Sequence, residues 1–266
     1  MLDTLRLSIW LILLMAIFIP LERFWSLKPQ KIFRRQFLFD LGYYFLNSLL
    51  PKLMLILPMS FVAAIIHRLE PMGLYVWVGS MPFLWRFILA IIVGEFGAYW
   101  GHRWCHEIPI LWRFHRIHHS AKEIDWLVNT RAHPFDIFLT RFCGLLPVYL
   151  LGLAQPTSNS VDLIPLLYAV VGTVWSFFIH ANVRWRFGWI EKWISTPAFH
   201  HWHHTNDDPK HIDKNYAAIL PCFDQLFGTF YLPKNRWPSK YGIDTQIPAS
   251  FTEQLLEPLR ITKTLT

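Results

Sequence analysis

Five apolar runs, at residues 7–25, 41–66, 81–100, 137–154 and 161–179, constrain this chain more than any other feature. A helix crossing a bilayer core takes about 20 apolar residues, with a range of about 17–25. Backbone in lipid must satisfy its own hydrogen bonds, which selects helices. The runs predict an all-α integral membrane protein with about four to five transmembrane helices. Four of them carry interruptions: Glu22 and Arg23 in the first, Pro51, Lys52 and Pro58 in the second, Arg86 and Glu95 in the third, Arg141 in the fourth. The fifth is clean. The first run has only Arg6 as a leading charge and no small-x-small cleavage signature, so it reads as a helix and not as a signal peptide.

Composition agrees. The chain is 53% apolar and 16% charged, against about a quarter charged in soluble domains. No repeat or Gly/Ser-rich linker divides residues 1–266, which read as a single membrane domain: spans in 1–90, a histidine-rich region in 91–231 and a short tail in 232–266. The net charge of +7 does not point to nucleic acid, because the cations flank apolar runs as at a lipid surface. Cys105, Cys143 and Cys222 are too few and too far apart for a disulfide framework. Cys105 lies between two motif histidines and is either a packed thiol or an extra ligand.

Positive charge sets an expected orientation. With the N-terminus outside, the inner loop 22–36 holds Arg23, Lys28, Lys31, Arg34 and Arg35, and the inner loop 101–136 holds Arg103, Arg113, Arg116, Lys122 and Arg131. The outer loop 67–80 holds only Arg68, and the outer loop 155–160 holds no cation. That asymmetry follows the positive-inside rule. It places every histidine but His67 at the cytoplasmic face, where a helical cap would hold them.

The histidines fall into groups at ligand spacing. His102 and His106 are four apart, so both project from one helix face. His115, His118 and His119 share the H-x-x-H-H spacing of His200, His203 and His204, and His180 closes the fifth run. The adjacent His118 and His119 diverge, as suits one residue per ion or a bridging arrangement. A structural zinc takes four ligands; nine imidazoles fit two ions of higher coordination. Imidazole serves zinc, iron, copper and nickel alike, so ligand type alone does not name the metal. Without metal, so many gathered polar rings would cost about 1–3 kcal/mol for each unpaired group.

This series, His102/His106, His115/His118/His119, His180 and His200/His203/His204, resembles the fatty acid hydroxylase and sterol desaturase superfamily of membrane-bound di-iron oxygenases. The resemblance covers residues 91–231. Arg131-Ala-His133-Pro134 and Asp224-Gln-Leu-Phe-Gly-Thr229 also resemble segments of its bacterial members. It implies two non-haem iron ions, O2 as co-substrate, and hydroxylation, desaturation or ether cleavage of a lipid: fatty acyl, sterol-like, isoprenoid or ether lipid. Some relatives place a histidine four residues before His180, where this chain has Ser176. His133 either supplies a tenth ligand or supports the site structurally. His201 faces away from its neighbours' stripe, and His67 and His211 read as ordinary surface histidines.

Around the ligands, Glu107, Asp125, Asp136, Asp207 and Asp208 are candidates to orient imidazoles or are simple caps. Glu95 is a costly carboxylate within an apolar run and faces a partner or cavity. Trp185, Trp189 and Trp193, four apart and flanked by Arg184, Arg186 and Lys192, read either as a helix lying in the lipid interface or as a Trp-rich core helix. No Gly-rich nucleotide fingerprint, iron–sulfur cysteine cluster or haem domain appears, so a separate ferredoxin, cytochrome or reductase is the expected electron donor. Alternatives are a membrane zinc-dependent hydrolase, a haem-binding membrane cytochrome and a non-enzymatic metal-binding membrane protein. The hydrolase lacks the H-E-x-x-H base, since Arg103 follows His102.

Overall fold

The computed structural model describes residues 2–69, 72–154 and 162–260. The loop 155–160, counted above for its lack of cations, lies outside the described residues, as do Val161 and residues 261–266 of the tail. The described residues form the helices α1 (Leu2–Phe24), α2 (Phe37–Leu69), α3 (Met72–Gly79), α4 (Phe83–Glu107), α5 (Pro109–His119), α6 (Pro134–Leu150), α7 (Ile164–His180), α8 (Pro197–His203), α9 (Cys222–Leu226) and α10 (Phe251–Leu256). Among these residues there is no strand, only isolated bridges joining Ser26 to Val183 and Thr205 to Tyr241.

Helices α1, α2 and α4, with 23, 33 and 25 residues, are long and apolar enough to cross a membrane. At 1.5 Å per residue they reach about 35, 50 and 38 Å, against a hydrocarbon core of about 30 Å. The last two apolar runs become α6 and α7, with 17 residues each, which is about 26 Å and short of that core. Helix α2 continues through Pro51 and Pro58. It points Leu53, Ile56, Leu57 and Phe61 outward, as α1 does Leu5, Ile9, Ile12, Leu13 and Ile17. In water such surface would cost about 25 cal/mol per Å²; in lipid it is solvated.

Glycines let α4 sit hard against α6 and α7. A Cβ on Gly97 would lie 2.0 Å from the Cys143 carbonyl oxygen, one on Gly101 2.8 Å from the Cys143 Cβ, and one on Gly94 2.4 Å from the Tyr168 hydroxyl. Small residues drive helix association where lipid is as apolar as leucine. The consequence is positional: the second half of α4 is fixed against the middle of α6.

Of the charges that interrupt the first run, Glu22 has turned inward and Arg23 stays exposed. Glu22 Oε1 accepts from the backbone N–H of Trp126 (2.8 Å) and of Asn182 (2.9 Å), tying the end of α1 to two segments beside the histidines. Arg34 pairs with Asp125 at 2.6 Å and Asp40 at 2.5 Å, and Arg131 with Asp40 at 2.6 Å, all four side chains being buried. A buried charge without a partner costs several kcal/mol, so these residues are stable only as a set. Loop 22–36 is therefore part of the packed structure around the site.

The expected Trp helix does not form. Arg184 N–H donates to the Trp25 carbonyl, keeping residues 184–187 non-helical, and Gly188 at φ +63° turns the chain into the short 3₁₀ segment Gly188–Lys192. Trp185 packs on Trp25, whereas Trp189 and Trp193 are 73% and 61% exposed.

Candidate metal centre

Local sequence explains how the imidazoles meet. Ile108, in extended conformation, ends α4 just past His106, and Pro109 restarts the chain as α5 at its first position, where proline's missing N–H costs no hydrogen bond. The two histidine-bearing helices thus fold against one another. Helix α8 begins in the same way: the Thr196 hydroxyl caps it by accepting from Phe199 N–H, and Pro197 follows. His180 ends α7, and His204 caps α8.

Two groups result. His102, His106, His115, His119 and His203 form one; His118, His180, His200 and His204 form the other, each with its potential ligand atoms within 4.8 Å of one another. These are the nine histidines that spacing singled out. The adjacent His118 and His119 divide between the groups, as their splay predicts, and the rings of His119 and His204 stack at 4.5 Å across the boundary. Cys105, buried, makes a further cluster with His115 and Asp136.

Six rings are oriented through Nδ1. His102 is held by the Tyr216 carbonyl (2.7 Å), His118 by the Arg131 carbonyl (3.0 Å), His180 by the Ser176 carbonyl (2.7 Å) and His203 by the Lys214 carbonyl (2.8 Å). Carboxylates hold His106 (Asp213, 2.9 Å) and His115 (Asp136, 2.9 Å). These oxygens only accept, so each Nδ1 carries the proton and each Nε2 presents a bare lone pair.

Those lone pairs face one another. His180 and His118 stand 3.1 Å apart at Nε2, and His102 and His115 3.2 Å. No neutral tautomer turns either contact into a hydrogen bond while Nδ1 remains engaged. Nε2 of His106 and of His203 is also buried without a partner, a costly state. A cation at the centre of each group resolves the conflict, and 3.0–3.2 Å between Nε2 atoms matches neighbouring donors on an ion with bonds of about 2.1 Å. The residues fit metal.

Burial also holds rings of both groups neutral. Burial lowers His118 to about 3, and it pushes His119, His200, His203 and His204 well below the usual histidine value. Only neutral imidazole ligates.

The remaining candidates lie elsewhere. His133 is outside both groups: its Nδ1 caps α6 by accepting from Phe135 N–H, and its Nε2 lies 3.1 Å from the Leu255 carbonyl. His201 is buried between the Tyr241 hydroxyl and the Ala181 carbonyl. His211 stacks on Tyr231, and His67 is exposed. Glu95 accepts from the backbone N–H of Ile219 and Leu220, so it anchors a loop and touches no ring of the two groups. Of the acidic candidates Asp136 reaches a ring of the two groups, that of His115, while Asp125 and Asp208 cap short helical turns, Asp207 holds Ser239 and Lys240, and Glu107 pairs with Arg103. Asp213 was not among the candidates. It sits in an irregular segment, and only its position after the last H-x-x-H-H group sets it apart.

Fold and site together define a helical integral membrane protein with a polyhistidine centre whose residues could hold metal. Residues 87–229 match the fatty acid hydroxylase family, and the chain belongs to it. It is 34% identical to the ornithine lipid hydroxylase OlsE of Rhizobium tropici over 186 residues, which is 68% of this chain and 53% of that protein. It is 34% identical to human alkylglycerol monooxygenase over 149 residues, 55% of this chain and 31% of that one. It is 28% identical to the Delta(7)-sterol 5(6)-desaturase erg31 of Schizosaccharomyces pombe over 165 residues, 61% and 49% respectively. The chain thus spans about half the length of these relatives, or less. No solved structure matches it.

Proposed function

We propose that this chain is a di-iron, O2-dependent oxidoreductase of the membrane that hydroxylates or desaturates a lipid. The observation that carries the reading is the pair of histidine groups whose lone pairs converge on two centres. The relatives named above act on lipids with several head groups and skeletons, in keeping with a lipid substrate of fatty acyl, sterol-like, isoprenoid or ether type.

His102, His106, His115, His119 and His203 would hold one iron, and His118, His180, His200 and His204 the other. When bound there, two ferrous ions would supply the reducing power needed to turn O2 into an oxidant able to attack an unactivated C–H bond. The chain's own part is orientation, charge and dryness. Carbonyls and carboxylates fix the tautomers so that every tethered ring offers Nε2 inward. Asp136 and Asp213 offset part of the positive charge that nine neutral rings leave uncompensated. Trp112 lies over His106 and His119, with centroids 5.2 and 5.6 Å apart, and covers one side of the cluster. Exposed Trp189 and Trp193 beside Lys192 suit headgroup depth, from which a lipid chain can enter.

Electrons come from a separate ferredoxin, cytochrome or reductase, and the centre faces the cytoplasm. The test is lipid profiling of cells with and without the protein, beside metal analysis of the purified chain. One oxidised lipid should vanish on deletion and return with the native chain but not with His118→Ala. An unchanged lipid profile with full metal loading would overturn the enzymatic reading.

A further inference from the structure

Three of the five rings in the first group hang from one four-residue stretch. Asp213 Oδ1 holds His106, the Lys214 carbonyl holds His203 and the Tyr216 carbonyl holds His102. The tethers known for the second group come from elsewhere, the Arg131 and Ser176 carbonyls. We propose that residues 213–216 are an orienting strap for the five-histidine group alone, latched by Asn215 and Asp224; this rests on the metal reading above.

The stretch does not hold its shape by regular secondary structure. Asp213 and Asn215 both lie in the left-handed region, at φ +58° and +61°, a conformation that side chains other than glycine rarely adopt but that Asn and Asp tolerate best. Left-handed residues at 213 and 215 turn the alternate carbonyls of Lys214 and Tyr216 to the ring side. What maintains the shape is a latch. Asn215, fully buried, donates through Nδ2 to the Phe199 carbonyl (2.9 Å) and the Tyr231 carbonyl (2.7 Å), and its Oδ1 accepts from Tyr231 N–H (2.7 Å). Its backbone N–H donates to the Thr229 carbonyl.

Asp224 closes the other end. Its carboxylate accepts from Tyr216 N–H (2.8 Å), Ala217 N–H (2.9 Å) and the Thr229 hydroxyl (2.7 Å), while its carbonyl accepts from Thr229 N–H and Phe230 N–H. Gly228, at φ +75°, makes the turn that brings Thr229 back. The segment Asp224-Gln-Leu-Phe-Gly-Thr229, whose part in the site the sequence left open, thereby acquires one: it brackets the strap from behind and touches no imidazole.

Asp213 and Asn215 are positioning residues, and the discriminating side chain is Asp213. Its carboxylate is 56% exposed, so the fold does not depend on burying it, and its one ring contact is to the five-histidine group. Asp213→Gly keeps the left-handed backbone and removes the tether; Asp213→Asn keeps an oxygen acceptor. The full-length chain, purified in detergent and loaded anaerobically with ferrous ion, is analysed for iron per chain across a range of free iron, with the melting temperature of each metal-free form as the control for folding. The wild type and Asp213→Asn should each hold two irons. Asp213→Gly should hold one firmly and the other about 10–100-fold more weakly, with an unchanged metal-free melting temperature. Asn215→Asp, which keeps the left-handed preference and loses the Nδ2 donors, should weaken the same ion. Two irons bound with wild-type affinity by Asp213→Gly would overturn the strap while leaving the metal reading intact, as would equal weakening of both ions. A wild-type chain that binds no iron would overturn both.

Discussion

The Nε2 atoms of His180 and His118 stand 3.1 Å apart although 62 positions separate the residues in sequence. Each ring spends its proton on a carbonyl at Nδ1, so the contact joins two lone pairs. Metal between them should stabilise the folded chain by mass action. With free metal at 100 times Kd the gain per site is about 2.7 kcal/mol. Thermal unfolding in detergent should show the loaded protein melting above its chelator-stripped form, with the melting temperature rising as metal is added back. Identical curves would remove metal from the account of this cluster.

Asp136 gives a second test. Its Oδ2 lies 2.9 Å from His115 Nδ1, between the first turn of α6 and the middle of α5. Asp136→Ala frees the ring to rotate and should cost about 10–100-fold in metal affinity or activity. Asp136→Asn, which keeps an acceptor oxygen, should cost less. Equilibrium metal titration of both variants checks the order; equal losses would mean that charge on Asp136 matters and orientation does not.

What sequence could reveal follows from which contacts are periodic. His102/His106 and the two H-x-x-H-H groups were legible because helical spacing puts their rings on one face, and these eight converge with His180, which closes α7. The tethers were not legible. Four of the six are backbone carbonyls, of Arg131, Ser176, Lys214 and Tyr216, and every residue has one. Ser176 illustrates this: its side chain marks a departure from some relatives, yet its carbonyl is what orients His180. Span counting suffered from a different ambiguity. Runs 137–154 and 161–179 form helices that pack on α4, with Gly97 and Gly101 against Cys143 and Gly94 against Tyr168, while α7 also exposes Leu166, Val170 and Val174, and hydropathy does not distinguish a face toward protein from one toward lipid. The Trp segment failed as a helix because Arg184 N–H is taken by the Trp25 carbonyl, a long-range bond that a spacing of four cannot report.

Gly97 leaves no room for a side chain. With the Cys143 carbonyl oxygen 2.0 Å from a Cβ at that position, Gly97→Ala must push α6 away from α4. Overpacking of this kind costs about 1–3 kcal/mol and more for larger groups, so Gly97→Leu should be worse. The displaced α6 carries Asp136, so metal affinity should fall with stability. Denaturation in detergent with parallel metal analysis checks both; Gly172→Ala, where an added Cβ meets nothing within 4 Å, is the control that should change neither.

Asp40 stands between Arg34 and Arg131, fully buried. Asp40→Ala leaves Arg131 with Gln36 alone, and breaking a buried ion set costs about 3–5 kcal/mol. Arg131 also presents the carbonyl that orients His118. The variant should therefore melt lower and lose metal from the four-histidine group before the five-histidine group. Loss in the opposite order would show that the lattice does not govern His118.

Orientation is the remaining test, and charge makes a definite prediction. Bringing the inner loops 22–36 and 101–136 to the outer face would carry ten cations across the bilayer, against the electrostatic bias that sets topology during insertion. Two exposed positions report on it: Glu123, just beyond the histidines of α5, and Ser80, between α3 and α4. In a background with the half-buried Cys143 and Cys222 replaced by alanine, Ser80→Cys should react with a membrane-impermeant maleimide on intact cells. Glu123→Cys should react only after the membrane is opened or in inverted vesicles. The opposite pattern would place the metal centre on the outer face, out of reach of cytoplasmic ferredoxins and reductases, and would require an electron donor of a different compartment.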